Sequence, residues 1–414
     1  MKLLISAYAC APNLGSDHGV GWNWATEAHR LGHEIWALVS PAHRDSIEGA
    51  CRDNSSLRGI HWVFPEVRAW PLEQGIEPKW ERTYNVLWQR EAMRHARELH
   101  RQVHFDAIHH ATWAGLRAPT FLGSLGAPLI IGPSGGGETS PLALRDDLPL
   151  LGKVLEKVRD FSNHTITINP LVRHGYVNAA VIFVSTTDTQ NLFKGALFDK
   201  TIVFFGPNLP ELPSASPRRS WHEPPRFLYV GRLLYWKGLN IAVRAFALIS
   251  KQFPGARFTI RGGGPYRSRL DEQIKHHDLQ DQVDFIPRLP QHKLFELYES
   301  HDLFMFPSLH DSGGFAALEA LSHGMPVICL DLGGPNYLVT SNAGLVIKTD
   351  GLNTAQVVTA LADETSNLLR SKEKLTELSA GAISRARDFI SAQRVKEFYD
   401  RAAPFIRQGH ATPR

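Results

Sequence analysis

PSLHDSGGFAALE, residues 307–319, is the most informative stretch of this chain. Ahead of it stands Leu303-Phe304-Met305-Phe306, with the composition of a fully buried strand, inside a segment, 301–308, that reads as β. After Gly313-Gly314, residues 316–322 read as a helix. A buried strand that turns through glycines into a helix is the repeating half of a βαβ unit. Backbone N–H groups at such a helix start lack intrahelical partners and point at an anion. Asp311 and Glu319 flank that start, suited to accept hydrogen bonds from sugar hydroxyls. Aspartate there serves equally as an N-cap or Asx turn, and glutamate as an exposed helical carboxylate.

Outward from this segment the same alternation covers all 414 residues. Toward the C-terminus, strands are expected over 226–233, 256–261, 282–289, 325–330 and 343–348, with a last helix over 392–407. In the first half they are expected over 2–9, 33–40, 59–66, 105–112, 127–134 and 179–185. Helices are expected over 22–31, 91–103 and 154–177, the last broken at Pro170. Six prolines between 206 and 226 mark an extended linker. The expected organisation is a Rossmann-like domain over 1–205, a linker over 206–225, a second such domain over 226–390 and a C-terminal helix over 391–414. The fold class is α/β, two doubly wound parallel sheets facing across a cleft.

Composition narrows the function. Hydrophobic residues make up 43% and charged residues 21%, as in ordinary globular proteins, which excludes disordered and fibrous classes. The longest apolar runs, such as 181–184, fall far short of the ~18 residues a membrane-spanning helix needs. Net charge is +4, and residues 1–205 hold 20 charges of each sign, so the excess lies in the second half. That distribution suits a pocket for a small anion and gives no stripe for nucleic acid. Cys10, Cys51 and Cys329 have neither metal-ligand nor redox spacing and read as reduced thiols. The run from Met1-Lys2 to Cys10 imitates a lipoprotein signal, but its seven or so apolar residues pass straight into a glycine-bearing loop, as a first strand does.

In open parallel sheets, ligands sit beyond the carboxyl ends of strands. The loop GRLLYWKG, 231–238, places Arg232 and Lys237 beside a helix start at about Leu239. An arginine fork and a lysine point charge there suit a diphosphate. RGGGP, 261–265, allows close backbone approach or merely a tight turn, and does not spell a dinucleotide fingerprint. In the first half, GSDHGVGWN (15–23), HHATW (109–113) and GPSGGGE (132–138) also follow strands. Glu138 is an acceptor-side candidate, on a loop that could equally be a flexible connection. The chain shows no Asp-x-Asp and no His/Cys cluster with ligand spacing, so no metal site is assigned.

Together, G-R-L…K-G, G-G-G-P and P-S…D-x(7)-E…G-x-P-V resemble the retaining family-4 glycosyltransferases of GT-B fold. The resemblance covers essentially the whole chain and is strongest over 226–340. It implies that Arg232 and Lys237 contact the donor pyrophosphate and that the Gly313, Gly314 and Phe315 amides hold phosphate and sugar. It further implies that Arg288 and Leu289 border the base and that Glu319 takes the ribose. Asp311 stands where the family's first glutamate contacts the donor sugar, one methylene shorter. Gly19 and Gly21 would face the donor phosphates, and a strand-end histidine would lie near the anomeric carbon: His110, with His109 as the fallback because alternate strand residues face opposite ways. The tail helix would cross back onto the first domain.

The implied activity is metal-independent, retaining hexosyl transfer from a nucleotide diphosphate sugar, a UDP- or GDP-sugar, to a saccharide, lipid-linked or other hydroxyl acceptor. No cofactor is required and no nucleic acid is bound. The implied setting is cytoplasmic polysaccharide biosynthesis, with peripheral contact at the inner membrane face left open, since the neutral first half gives it no electrostatic support. The alternatives are a catalytically inactive glycosyltransferase-like partner that binds nucleotide sugar and, further off, a dinucleotide-dependent enzyme. Oligomeric state is not written in the sequence.

Overall fold

A computed structural model describes residues 1–68, 70, 80–206, 209–213, 217–218, 220–287 and 289–411. The chain divides into two compact units. The first comprises Met1–Gly137, Ser162–Pro210 and Phe389–Arg414, and the second Glu138–Phe161 and Glu211–Asp388.

The first unit is built on seven parallel strands: β1 (Lys2–Ala7), β2 (Glu34–Leu38), β3 (His61–Val63), β4 (Ala107–Thr112), β5 (Leu129–Ser134), β6 (Ala179–Val184) and β7 (Thr201–Val203). They lie in the order β3-β2-β1-β4-β5-β6-β7. β1 is central, pairing Leu3 with Ile35 on one side and with Ala107 on the other. Its residues 3–7 are all buried, as expected of a strand covered on both faces. β7, three residues at the sheet edge, was not anticipated from the sequence, being too short to show a period. Pro170 begins a new helix, Pro170–Asn178, with the Asn169 side chain capping Leu171 N, so the expected break falls between Leu150–Thr165 and that helix. The last helix, Ser391–Ala411, packs Phe398 against Trp24, His109, Phe183 and Phe204.

The second unit has six parallel strands: β8 (Arg226–Val230), β9 (Arg257–Arg261), β10 (Val283–Ile286), β11 (Leu303–Phe306), β12 (Val327–Leu330) and β13 (Gly344–Ile347). Their order is β10-β9-β8-β11-β12-β13. β11 and β12 are buried throughout, as their unbroken apolar runs demand. Asp302 ties the incoming chain to the sheet, accepting hydrogen bonds from His222 N (3.2 Å) and Arg226 N (2.8 Å). The segment Glu138–Phe161 belongs to this unit, although the sequence places it in a domain over 1–205. Buried polar side chains hold it there, as the site shows.

Candidate functional site

In the second unit the strand order reverses between β8 and β11: β9 and β10 extend one way, β12 and β13 the other. Loops leaving the carboxyl ends of such a pair diverge and open a crevice, where open parallel sheets bind ligands. The two loops at this point are 231–238 and 307–314, the same stretches that stand out in the sequence.

The backbone locks them together. Leu309 N donates to Trp236 O (2.8 Å), and so does Ser308 Oγ (3.2 Å). Gly238, at φ +67°, caps the helix Leu239–Gln252, and a Cβ on it would lie 1.8 Å from Pro307 O. Only glycine allows that approach. Gly314, at φ +59°, caps the helix Phe315–Ser322. From the loop after β12, Gly334 N donates to Asp311 O at 2.6 Å. Three strand-end loops thus converge on Asp311.

Lys237 Nζ donates to Asp311 Oδ2, with the two side chains 17% and 18% exposed. The same ammonium lies 5.4 Å from the Phe306 ring centroid. Arg232 is exposed on the 231–238 loop, and its carbonyl accepts from Tyr229 Oη at 3.1 Å. Gly313 sits against the Phe315 ring, at the first turn of the following helix. Glu319, one turn into that helix, accepts from Tyr298 Oη at 2.9 Å. Burial pushes its carboxyl upward, opposed by that hydrogen bond and the Arg261 charge. Arg261 in turn donates Nη2 to Leu289 O at 3.0 Å. Arg288 lies outside the described residues. Gly262 and Gly264 serve packing: Cβ atoms there (φ +145° and +158°) would meet Gly231 O at 1.9 Å and Leu233 O at 2.3 Å.

Beneath these loops lies a set of residues that the sequence did not single out. Glu156, buried, accepts at Oε1 from Tyr235 Oη (3.0 Å) and His310 Nε2 (2.9 Å). His310 stacks on Trp236, centroids 5.4 Å apart. Burial would raise the Glu156 carboxyl, but the hydrogen bonds and charge of His310, with Tyr235, outweigh it and bring it down to about 2. Glu138, the acceptor-side candidate, is buried and accepts from Ser312 Oγ at 2.5 Å, with Arg159 Nη2 3.9 Å away. Its carboxylate is spent holding the 307–314 loop. The only sequence signal for Glu156 was its position off the apolar stripe of its helix.

The first-unit candidates divide. His109 is fully buried, with Nδ1 hydrogen-bonded to Tyr399 Oη (3.0 Å) and Nε2 to Gly132 O (2.7 Å). Both nitrogens are occupied, so it is a core histidine and not the fallback ligand. His110 faces the other way, Nδ1 3.3 Å from Ser6 Oγ, while its buried Nε2 has no partner among the described residues. Gly19 and Gly21 lie within the helix Ser16–Arg30 and not in a loop ahead of it. Cβ atoms there would meet Leu14 O at 2.4 Å and Ala9 O at 2.1 Å, so close helix packing accounts for both glycines. Among the described residues, no three His, Cys, Asp or Glu are grouped to hold a metal ion.

Residues 216–385 match the family model described as glycosyl transferases group 1. The chain is 31% identical over 147 residues to the glycogen synthase of Mycobacterium tuberculosis, an alignment covering 36% of this chain and 35% of that protein. It is 35% identical over 172 residues to the D-inositol 3-phosphate glycosyltransferase of Acidothermus cellulolyticus, covering 39% and 37%. The matches thus span about a third of these relatives' length. Sucrose-phosphate synthase from Thermosynechococcus elongatus superposes with TM-score 0.67 at 16% identity, covering 98% of this chain and 100% of that one. Anabaena Alr3699/HepE, solved in complex with UDP, superposes with TM-score 0.62 at 16% identity and the same coverage. The chain therefore has the GT-B fold, and its stretch from 216 to 385, which carries the loops around Lys237 and Asp311, is similar to the glycosyl transferases group 1.

Proposed function

We propose that this protein is a retaining hexosyltransferase that moves a sugar from a UDP- or GDP-sugar to a saccharide or lipid-linked hydroxyl without a metal ion. One observation carries the reading: Lys237, Asp311 and the helix start at Gly314 converge at the β8/β11 reversal of a unit matched by the glycosyltransferase family model. Lys237, Arg232 and the helix amides stabilise negative charge on the departing diphosphate. Asp311 orients the donor sugar and Glu319 the ribose. The bond from the anomeric carbon to the phosphate oxygen breaks as the acceptor oxygen attacks the same face. The acceptor's proton passes to the departing phosphate. His110 is proposed as a further group acting in this reaction. The UDP bound by Alr3699/HepE supports a uridine donor.

The test is a panel of nucleotide sugars, scored first for binding by native mass spectrometry and then for transfer to simple glycosides. Binding with turnover, and α-linked product from an α-linked donor, supports the reading. Tight nucleotide binding with no turnover on any acceptor would instead favour an inactive binding partner.

A further inference from the structure

Both neighbours of Asp311 are tied to buried acids. His310, before it, donates Nε2 to Glu156 Oε1 at 2.9 Å, and Ser312, after it, donates Oγ to Glu138 Oε2 at 2.5 Å. Both acids come from the segment Glu138–Phe161 of the second unit, and both are buried. Arg145 Nη2 lies 3.9 Å from Glu156 Oε2, and Arg159 Nη2 lies 3.9 Å from Glu138 Oε2. Burying a carboxylate is costly, and apolar side chains would fill the same space at lower cost. What the acids supply instead is direction, because a charged acceptor holds its donors at short, defined geometry.

Glu156 has a second arm. Its Oε1 also accepts from Tyr235 Oη at 3.0 Å, in the loop that carries Lys237. Burial, and after it the Glu156 charge, push the Tyr235 hydroxyl upward, so it stays a donor. The helix Leu150–Thr165 packs against that ring: a Cβ on Gly152 would come within 3.2 Å of it. His310 is fixed in its other direction by Trp236, on which it stacks with 15° between the planes. One buried oxygen thus ties the 231–238 loop to the 307–314 loop, while Glu138 holds the second loop alone. Aspartate has only two side-chain torsions, so the Asp311 carboxylate goes where residues 310 and 312 put the backbone.

We infer that Glu138 and Glu156 are positioning residues for the donor: Glu138, through Ser312, aims the Asp311 carboxylate, and Glu156, through His310 and Tyr235, sets Asp311 and Lys237 relative to each other. This deepens the transfer reading and rests on it for the nature of the donor.

The first measurement needs no donor. A crystal structure of the Ser312→Ala/Glu156→Gln variant should show Lys237 Nζ and Asp311 Oδ2 beyond hydrogen-bond distance, and an intact pair overturns the proposal. The second measurement takes UDP-glucose and GDP-mannose as donors, with calorimetry on UDP and GDP. Ser312→Ala should lower kcat by roughly tenfold or more and leave nucleotide affinity within about twofold. Ser312→Thr, which keeps the hydroxyl, should recover most of that loss. Tyr235→Phe should weaken the nucleotide by about three- to tenfold and change kcat little. Glu156→Gln should do both. Parallel losses of binding and turnover in all three variants, tracking their thermal midpoints, would mean general packing and overturn the proposal. A wild type that transfers from neither donor counts against the transfer reading instead, and the crystal structure of the variant still decides the positioning.

Discussion

At Asp311 the carboxylate answers a lysine while the main-chain carbonyl answers the backbone of a neighbouring loop. Lys237 and Asp311 therefore have separate roles. Lys237→Ala should weaken nucleotide diphosphate binding by roughly 10- to 100-fold, the cost of one charge-assisted contact. Asp311→Asn frees Lys237 from its acid, so it should keep or tighten diphosphate binding while lowering transfer by about 100-fold or more. Calorimetry alongside a transfer assay reads both, and a parallel loss of binding in the two variants would contradict the division. The basic and acidic residues of the two loops were legible because strand-end positions are visible in the hydropathy pattern. His109 and His110 were not separable. Alternation says that they face opposite ways, but the choice is made by Tyr399, 290 residues along the chain.

Among the elements, the helix starts at Gly238 and Gly314 were readable from glycine after a buried strand, and the first turn at Leu239 falls where expected. The helix Ser16–Arg30 begins earlier than its sequence suggested, since Gly19 and Gly21 read as loop glycines and instead serve packing. The helix Leu150–Thr165 misleads in a different way: its pattern gives the helix, but the apolar face is the one left outside. Periodicity reports that a face exists, not what covers it. Gly238→Ala should destabilise the second unit by about 2–4 kcal/mol, from a left-handed non-glycine residue plus the clash with Pro307 O. Denaturant unfolding checks this, and a variant within about 0.5 kcal/mol of wild type would show that the two loops are not held as described.

Across the whole molecule, the two parallel sheets were legible because most of their strands, such as β6, β11 and β12, are apolar runs, while three-residue β7 was not. The assignment of Glu138–Phe161 was not, because buried polar contacts to Tyr235, His310 and Ser312 decide it. His109, His110 and Glu156 set the acid response. Burial holds His109 at about 3 and His110 at about 4, below the ordinary 6.5, so folding favours their neutral forms. That stability is complete above pH 6.5 and drains away as pH falls, toward about 4 for His110 and about 3 for His109. Glu156, brought down to about 2 from 4.5, adds stability that is lost between those values. Thermal midpoints measured against pH should therefore fall from just below pH 6.5, and Glu156→Gln should flatten only the part below 4.5. A flat wild-type profile down to pH 4 would refute the buried histidines' role. The most direct test of the central claim is titration of UDP and GDP into wild type, Lys237→Ala and Glu319→Ala by calorimetry. The account predicts that one nucleotide binds the wild type and that each variant binds it at least about tenfold more weakly. Full affinity in both variants would contradict it.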